Sequence, residues 1–138
     1  MPLTTPLSIR ELFDDNLEAL RLAWLAGQSG AEQLIVGDAV SAADQIGHLN
    51  LIHPGRIQVF GPQEMAYLAR VSEHSRIAQT RELVAGKPPA FIIAHSLTPP
   101  AFIVDVCNEH GIPLISTPQP SARVIDYLRV YLSKKLAT

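Results

Sequence analysis

From Arg56 onward the chain switches repeatedly between two hydrophobic rhythms. Ile57-Gln58-Val59-Phe60 is a short run of strand formers closed by Gly61. Pro62 follows, at a position where the first residue of a helix tolerates a missing N–H. Met65, Leu68 and Ala69 then recur at i, i+3 and i+4, the stripe of a core-facing helix, with Glu64 in the first turn complementing the positive end of the helix dipole. A second helix near Glu73 to Ala85 carries Ile77, Leu83 and Val84 on its apolar side and stops at Gly86 before Lys87-Pro88-Pro89.

The rhythm then repeats. Phe91-Ile92-Ile93-Ala94 is apolar on both alternate faces, as a strand buried between two layers must be. Thr98 is the expected cap of the next helix and Pro99 its start; Phe102, Ile103, Val104, Val106 and Cys107 make that helix apolar nearly all round. His110-Gly111 closes it, and Ile112-Pro113-Leu114-Ile115 reads as another strand, with Pro113 at its start or on an edge. Ser121 is the expected cap of a last helix that places Val124, Ile125, Leu128, Tyr131 and Leu132 on one face.

The first part of the chain is less regular. Ser8, with Glu11 three residues on, forms a capping box for a helix from Ile9 to about Asn16. Leu20 to Ala26 reads as a short strand ended by Gly27, and Leu34-Ile35-Val36 as a second one before Gly37-Asp38. In residues 39–55, Ile46, Leu49 and Ile52 suggest a helical turn, whereas Gly47 and His53-Pro54-Gly55 favour irregular backbone. Successive strand–helix units force parallel pairing through right-handed crossovers. The expected fold is α/β: a three-layer sandwich around a compact, mainly parallel sheet, in a single domain over residues 1–138.

Composition adds little to that picture but excludes several functions. Charged residues are 17% of the chain against ~25% in ordinary soluble domains, so either a neighbouring domain covers part of the surface or the buried sheet lowers the fraction. Net charge is −2, with no general pull toward nucleic acid or an anionic membrane. Residues 1–55 nevertheless carry two basic against seven acidic side chains, and residues 56–138 nine against six. The two halves can attract each other or a neighbouring subunit, or these are simply solvated faces. The one cysteine, Cys107, allows no internal disulfide. The start lacks the basic and apolar regions of a secretory signal, and the longest wholly apolar runs, Leu22 to Ala26 and Ala90 to Ala94, fall far short of the ~20 residues that span a bilayer. A soluble cytoplasmic protein is the expectation.

Candidate chemistry is sparse. The eight glycines form neither the Gly-x-x-x-x-Gly-Lys-Ser/Thr loop of nucleotide hydrolysis nor Gly-x-Gly-x-x-Gly. Cys107 and His110 at i, i+3 offer two ligands where a zinc site needs three or four. Asp44 and His48 at i, i+4 suggest a surface pair. The more serious site lies where the strands end, at Gly61, His95-Ser96 and Ser116-Thr117. Carboxyl ends of parallel strands meet in a crevice faced by helix N-termini, which suits anions. Ser96, Ser116 and Thr117 are the expected phosphate partners, with His95 adding charge when protonated. The plainer alternative is that all four are turn and cap residues of the fold.

Several strings, taken in order, resemble the N-terminal domain of the HPr kinase/phosphorylase family. They are Arg56-Ile57-Gln58-Val59-Phe60-Gly61 with Glu64 and Leu68, Leu97-Thr98-Pro99-Pro100, His110 to Thr117, and Tyr131 to Leu136. The resemblance runs from about Ser8 to Ala137. It departs where the family often has Arg-Pro-Gly-Leu; here Val40 to Gly47 reads Val-Ser-Ala-Ala-Asp-Gln-Ile-Gly. It implies a Mur-ligase-like N-terminal fold and a regulatory or oligomerisation role. The P-loop, catalytic histidine and acidic metal ligands would then lie in a C-terminal kinase domain outside this chain, so no catalytic residue, metal or cofactor is assigned here. For the full-length enzyme it implies Mg, ATP or pyrophosphate, the HPr protein as substrate, and a homo-oligomer (a hexamer in the family). A free-standing sensor of phosphate or a nucleotide is the alternative.

Overall fold

Ile9, Leu12, Phe13, Asn16 and Leu20 recur at helical spacing and are the buried positions of the first helix, α1 (Ile9–Leu20). The structure, a computed structural model, describes residues 7–35, 46–48, 57–70, 72–85 and 88–135. Ser8 caps α1 as the capping-box spacing predicts, its Oγ accepting from the Glu11 N–H at 3.1 Å. The helix runs one turn beyond its expected end. Asn16 interrupts the apolar stripe in sequence, yet its Nδ2 donates to the Leu12 carbonyl at 2.7 Å, so the amide is buried with a partner. Left-handed Arg21 (φ 53°) ends the helix, and the strand expected from Leu20 starts only at Ala23.

Among the described residues the main sheet has five strands, in the order β2 (Ala23–Ala26), β7 (Leu114–Ser116), β6 (Phe91–Ile93), β5 (Ile57–Phe60), β4 (Ile46–His48). The pairs β4–β5, β5–β6 and β6–β7 are parallel. Strand β2 is antiparallel to β7, with a register shift between Trp24 and Ala26. It enters before the strand–helix–strand series begins, so no crossover helix dictates its direction. Beside this sheet, β1 (Leu7–Ser8) and β3 (Leu34–Ile35) form a small antiparallel pair.

One expectation is corrected at β4. Ile46-Gly47-His48 is extended and pairs with Ile57-Gln58-Val59, where the sequence leaves a helical turn and irregular backbone open. Three apolar residues spaced by three are too few to hold a helix against the hydrogen bonds of a sheet edge. On a strand His48 does not share a helical face with a residue four positions away; Asp44, Leu49 and Ile52, like Val36, lie outside the described residues.

Helices α2 (Pro62–Arg70), α3 (Glu73–Ala85), α4 (Ala101–His110) and α5 (Ser121–Lys135) complete the layers. Pro62 is the first residue of α2, as expected. Helix α4 starts two residues later than Pro99 because a residue that precedes proline is pushed out of the helical region; Pro100 holds the cap position, and Thr98 makes no cap bond. Val59, Ile92 and Ile115 of the sheet pack with Leu12 and Phe13 of α1 and Val124, Leu128 and Leu132 of α5. The alternate residues Phe60, Phe91, Ile93 and Leu114 pack with Met65 and Leu68 of α2 and Ile103 and Cys107 of α4. Both faces of β5, β6 and β7 are therefore covered, giving the expected three-layer α/β sandwich. On α3, Val84 packs against the second cluster, while the side chains of Ile77 and Leu83 lie outside the described residues.

Among the described residues the charge asymmetry has one visible consequence. Helices α1 and α5 lie side by side, and Lys135 Nζ reaches Glu11 at 3.2 Å and Asp15 at 3.4 Å. The Tyr131 hydroxyl donates to Asp15 Oδ2 at 2.5 Å. That hydroxyl, and then Lys135, hold the Asp15 carboxyl below its usual range. Burial, and then the Asp15 carboxylate, push the Tyr131 phenol up. All three are surface or half-buried contacts, so they align the two helices more than they stabilise the fold. No helix among the described residues is long and apolar enough to cross a membrane.

Candidate functional site at the strand ends

The three turns that follow β5, β6 and β7 are tied together by backbone hydrogen bonds running on past the strands. Ala94 N–H donates to the Phe60 carbonyl at 2.9 Å, and Thr117 N–H to that of Ile93 at 2.9 Å. His95 N–H donates to Gln119 O at 2.9 Å and Ser96 N–H to Thr117 O at 3.0 Å. To make the last two bonds the chain turns sharply. His95 (φ 59°) and Ser96 (φ 55°) are both left-handed, a conformation costing a residue with a β-carbon about 1–2 kcal/mol. Neither is glycine, so the neighbouring turns must hold them there.

Two helices start at this end. Gly61 is the cap of α2: its carbonyl accepts from Met65 N–H at 3.0 Å, and its own N–H donates to Glu64 Oε1 at 2.6 Å. Glu64 thus acts on the helix start through a specific bond as well as through its charge. At α5 the Pro120 carbonyl accepts from Val124 N–H at 3.0 Å, which makes Pro120 the cap residue and Ser121 the first helical one. This corrects Ser121 as the cap. Proline has no side-chain acceptor, and the Ser121 N–H donates instead to His95 Nε2 at 3.2 Å. An accepting Nε2 carries no proton, so the neutral ring bears its hydrogen on Nδ1. The two helix starts are neighbours: a β-carbon on Gly61 would sit 3.0 Å from Ser121 Oγ and 3.1 Å from Glu64 Oε1.

Of the four residues expected to meet a ligand, the fold treats each differently. His95 and Ser96 are exposed on the β6 turn, and Ser116 is half-buried at the end of β7. Thr117 is buried; its Oγ1 donates to the Leu20 carbonyl at 2.6 Å and accepts from Gln119 N–H at 3.2 Å. That hydroxyl satisfies one of the carbonyls left open at the end of α1 and does not face the crevice as a free donor. Sequence reasoning missed Glu64 as a cap and His95 as the partner of α5. The first was readable, since Gly61 and Glu64 have capping-box spacing. The second joins positions 26 apart through the packing of two turns, and no local pattern signals it.

Away from this end, Cys107 is fully buried and burial alone pushes its thiol up to about 12, while His110 is exposed at the close of α4. Among the described residues no group of three or more His, Cys, Asp or Glu side chains is placed to hold a metal ion.

Residues 7–132 match the family described as HPr Serine kinase N terminus. The HPr kinase/phosphorylase of Bordetella pertussis is 48% identical over 131 residues, covering 95% of this chain and 42% of that protein. That of Ralstonia nicotianae is 44% identical over 134 residues, covering 94% and 41%. The chain therefore spans about two fifths of the length of these relatives. Among solved structures, the CBS and DRTGG domains of the regulatory region of Clostridium perfringens pyrophosphatase, complexed with its activator diadenosine tetraphosphate, match at TM-score 0.51 and 19% identity. The match covers 91% of this chain and 49% of that one, and it is a likeness of fold.

Proposed function

The chain belongs to the HPr serine kinase N-terminal family, and from that membership we propose that it is the non-catalytic N-terminal domain of an HPr kinase/phosphorylase. The observation that carries this reading is the family match over residues 7–132, nearly the whole chain. In the intact enzyme a C-terminal kinase domain uses ATP or pyrophosphate with magnesium to phosphorylate a serine of HPr, and reverses the reaction with inorganic phosphate, in control of carbon metabolism. The protein is cytoplasmic and homo-oligomeric. The domain described here holds the catalytic domains and contributes to the oligomer, and α5 is its mechanical link to them.

The chemistry of the strand-end residues agrees with a scaffold. Magnesium needs several oxygen ligands in near-octahedral array. Here the oxygen donors are scattered hydroxyls and the single Glu64 carboxylate, already bonded to Gly61 N–H. These residues do not fit a magnesium nucleotide, and no phosphotransfer step is assigned to them.

A second reading, a sensor of phosphate or a nucleotide at His95, Ser96 and Ser116, with Thr117 withdrawn because its hydroxyl is committed to Leu20 and Gln119, is favoured by the consecutive left-handed residues His95 and Ser96. Strain of that kind collects at binding sites as well as at structural turns. The two readings separate on titration of the chain with phosphate, pyrophosphate, fructose bisphosphate and uridine nucleotides, followed by amide NMR. The scaffold predicts no saturable shift. Saturable shifts confined to the turns around His95 and Ser116 would replace it with the sensor.

A further inference from the structure

We infer that His95 is a proton-controlled latch on the N-terminus of α5. The Ser121 N–H is the first donor of that helix, its cap residue is a proline, and the acceptor is the unprotonated Nε2 of an exposed imidazole. Protonating the ring removes that acceptor, because both nitrogens of an imidazolium are donors. It also places a positive charge against the positive end of the helix dipole. The two effects have the same sign, so the bond holds in the neutral ring and opens in the charged one.

The backbone beneath the ring adds a third contribution. His95 and Ser96 are kept left-handed by their N–H bonds to Gln119 O and Thr117 O, both in the segment that leads into α5. The ring-to-helix bond closes the same connection from the other side. Opening it frees that segment from one of its three ties to the β6 turn, and the strained pair gains a route toward ordinary backbone.

Among the described residues, few other charges act on this contact. Residues 94–100 and 117–120 contain no charged side chain apart from His95. The α2 start contributes Glu64, bonded to Gly61 N–H. The early part of α5 contributes Arg123 and Asp126, both exposed. The latch belongs to this domain's own geometry and holds whichever function the domain serves.

The test is an NMR pH titration of the intact chain, following the ring nitrogens of His95 and the amide of Ser121. The neutral ring is expected to be the Nδ1–H tautomer. The Ser121 amide shift should move with the same midpoint as the His95 ring, and its hydrogen-exchange protection should fall about tenfold across it, the equivalent of one lost helix cap. His95→Gln, whose amide oxygen accepts at every pH, should hold Ser121 protected and flat over that range. Glu64→Gln should leave the Ser121 transition in place. An Nε2–H tautomer, a Ser121 amide that stays flat while the His95 ring titrates, or a transition that survives in His95→Gln would each overturn the proposal.

Discussion

Replacing Ile93 with alanine is expected to lower the free energy of unfolding by about 2–5 kcal/mol. Ile93 lies on the central strand β6, has 0% exposure, and packs in the cluster that holds Phe60, Phe91, Leu114 and Ile103. Its neighbours on either side are strands β5 and β7, and helices close both faces of the sheet. Such a site cannot collapse around the missing atoms, so the cavity persists and its cost adds to the lost burial. Total stability of a domain is about 5–15 kcal/mol, which makes this one change a large share. Urea unfolding should show a lower midpoint with an unchanged slope. A loss below about 1 kcal/mol would mean that the sheet does not bury this residue.

The second large effect is expected at Gly27, which follows β2. Its φ of +69° is the left-handed region, and a β-carbon there would lie 1.8 Å from the Ile112 carbonyl oxygen and 2.5 Å from its carbon. The obstruction is backbone, so no side-chain rotation relieves it. Gly27 N–H also donates to Asn108 Oδ1 at 2.9 Å, pinning the turn against the end of α4. Left-handed strain of about 1–2 kcal/mol and overpacking of about 1–3 kcal/mol act together, so Gly27→Ala should lose roughly 2–5 kcal/mol. Gly61→Ala provides the contrast. There the closest atom is the Ser121 hydroxyl at 3.0 Å, which can rotate away, and the loss should be smaller. Thermal unfolding of the two variants side by side checks the pair; an unaltered Gly27→Ala protein would show that the two turns do not approach as described.

These two sites also mark how far the sequence could be read. Ile93 was legible because an apolar run on both alternate faces has one good solution in an α/β chain, the middle of a covered parallel sheet. Gly27 was legible as a turn and no more, since the Ile112 carbonyl that forbids a side chain is 85 positions away. Asn16 hid the last turn of α1 because a buried amide with a local partner looks, in sequence, like a solvent-facing one. Strand β4 was missed because Ile46, Leu49 and Ile52 fit a helical spacing while Gly47 favours irregular backbone, and only pairing with β5 makes the stretch a strand. The antiparallel direction of β2 had no local signal at all. At the strand ends, the residues gathered from three turns were legible from topology. Their individual tasks, Thr117 on the end of α1 and His95 on the start of α5, depend on contacts that only the folded chain creates.

We propose that this domain supplies architecture and that bond-making belongs to a separate kinase domain, as its membership of the HPr serine kinase N-terminal family suggests. The decisive assay incubates the purified chain with HPr, magnesium, and ATP or pyrophosphate, and reads phosphoserine on HPr by intact-mass spectrometry. No phosphoserine above a control lacking the chain is expected. Phosphoserine that accumulates in proportion to the chain added, from a preparation free of any longer kinase, would contradict it.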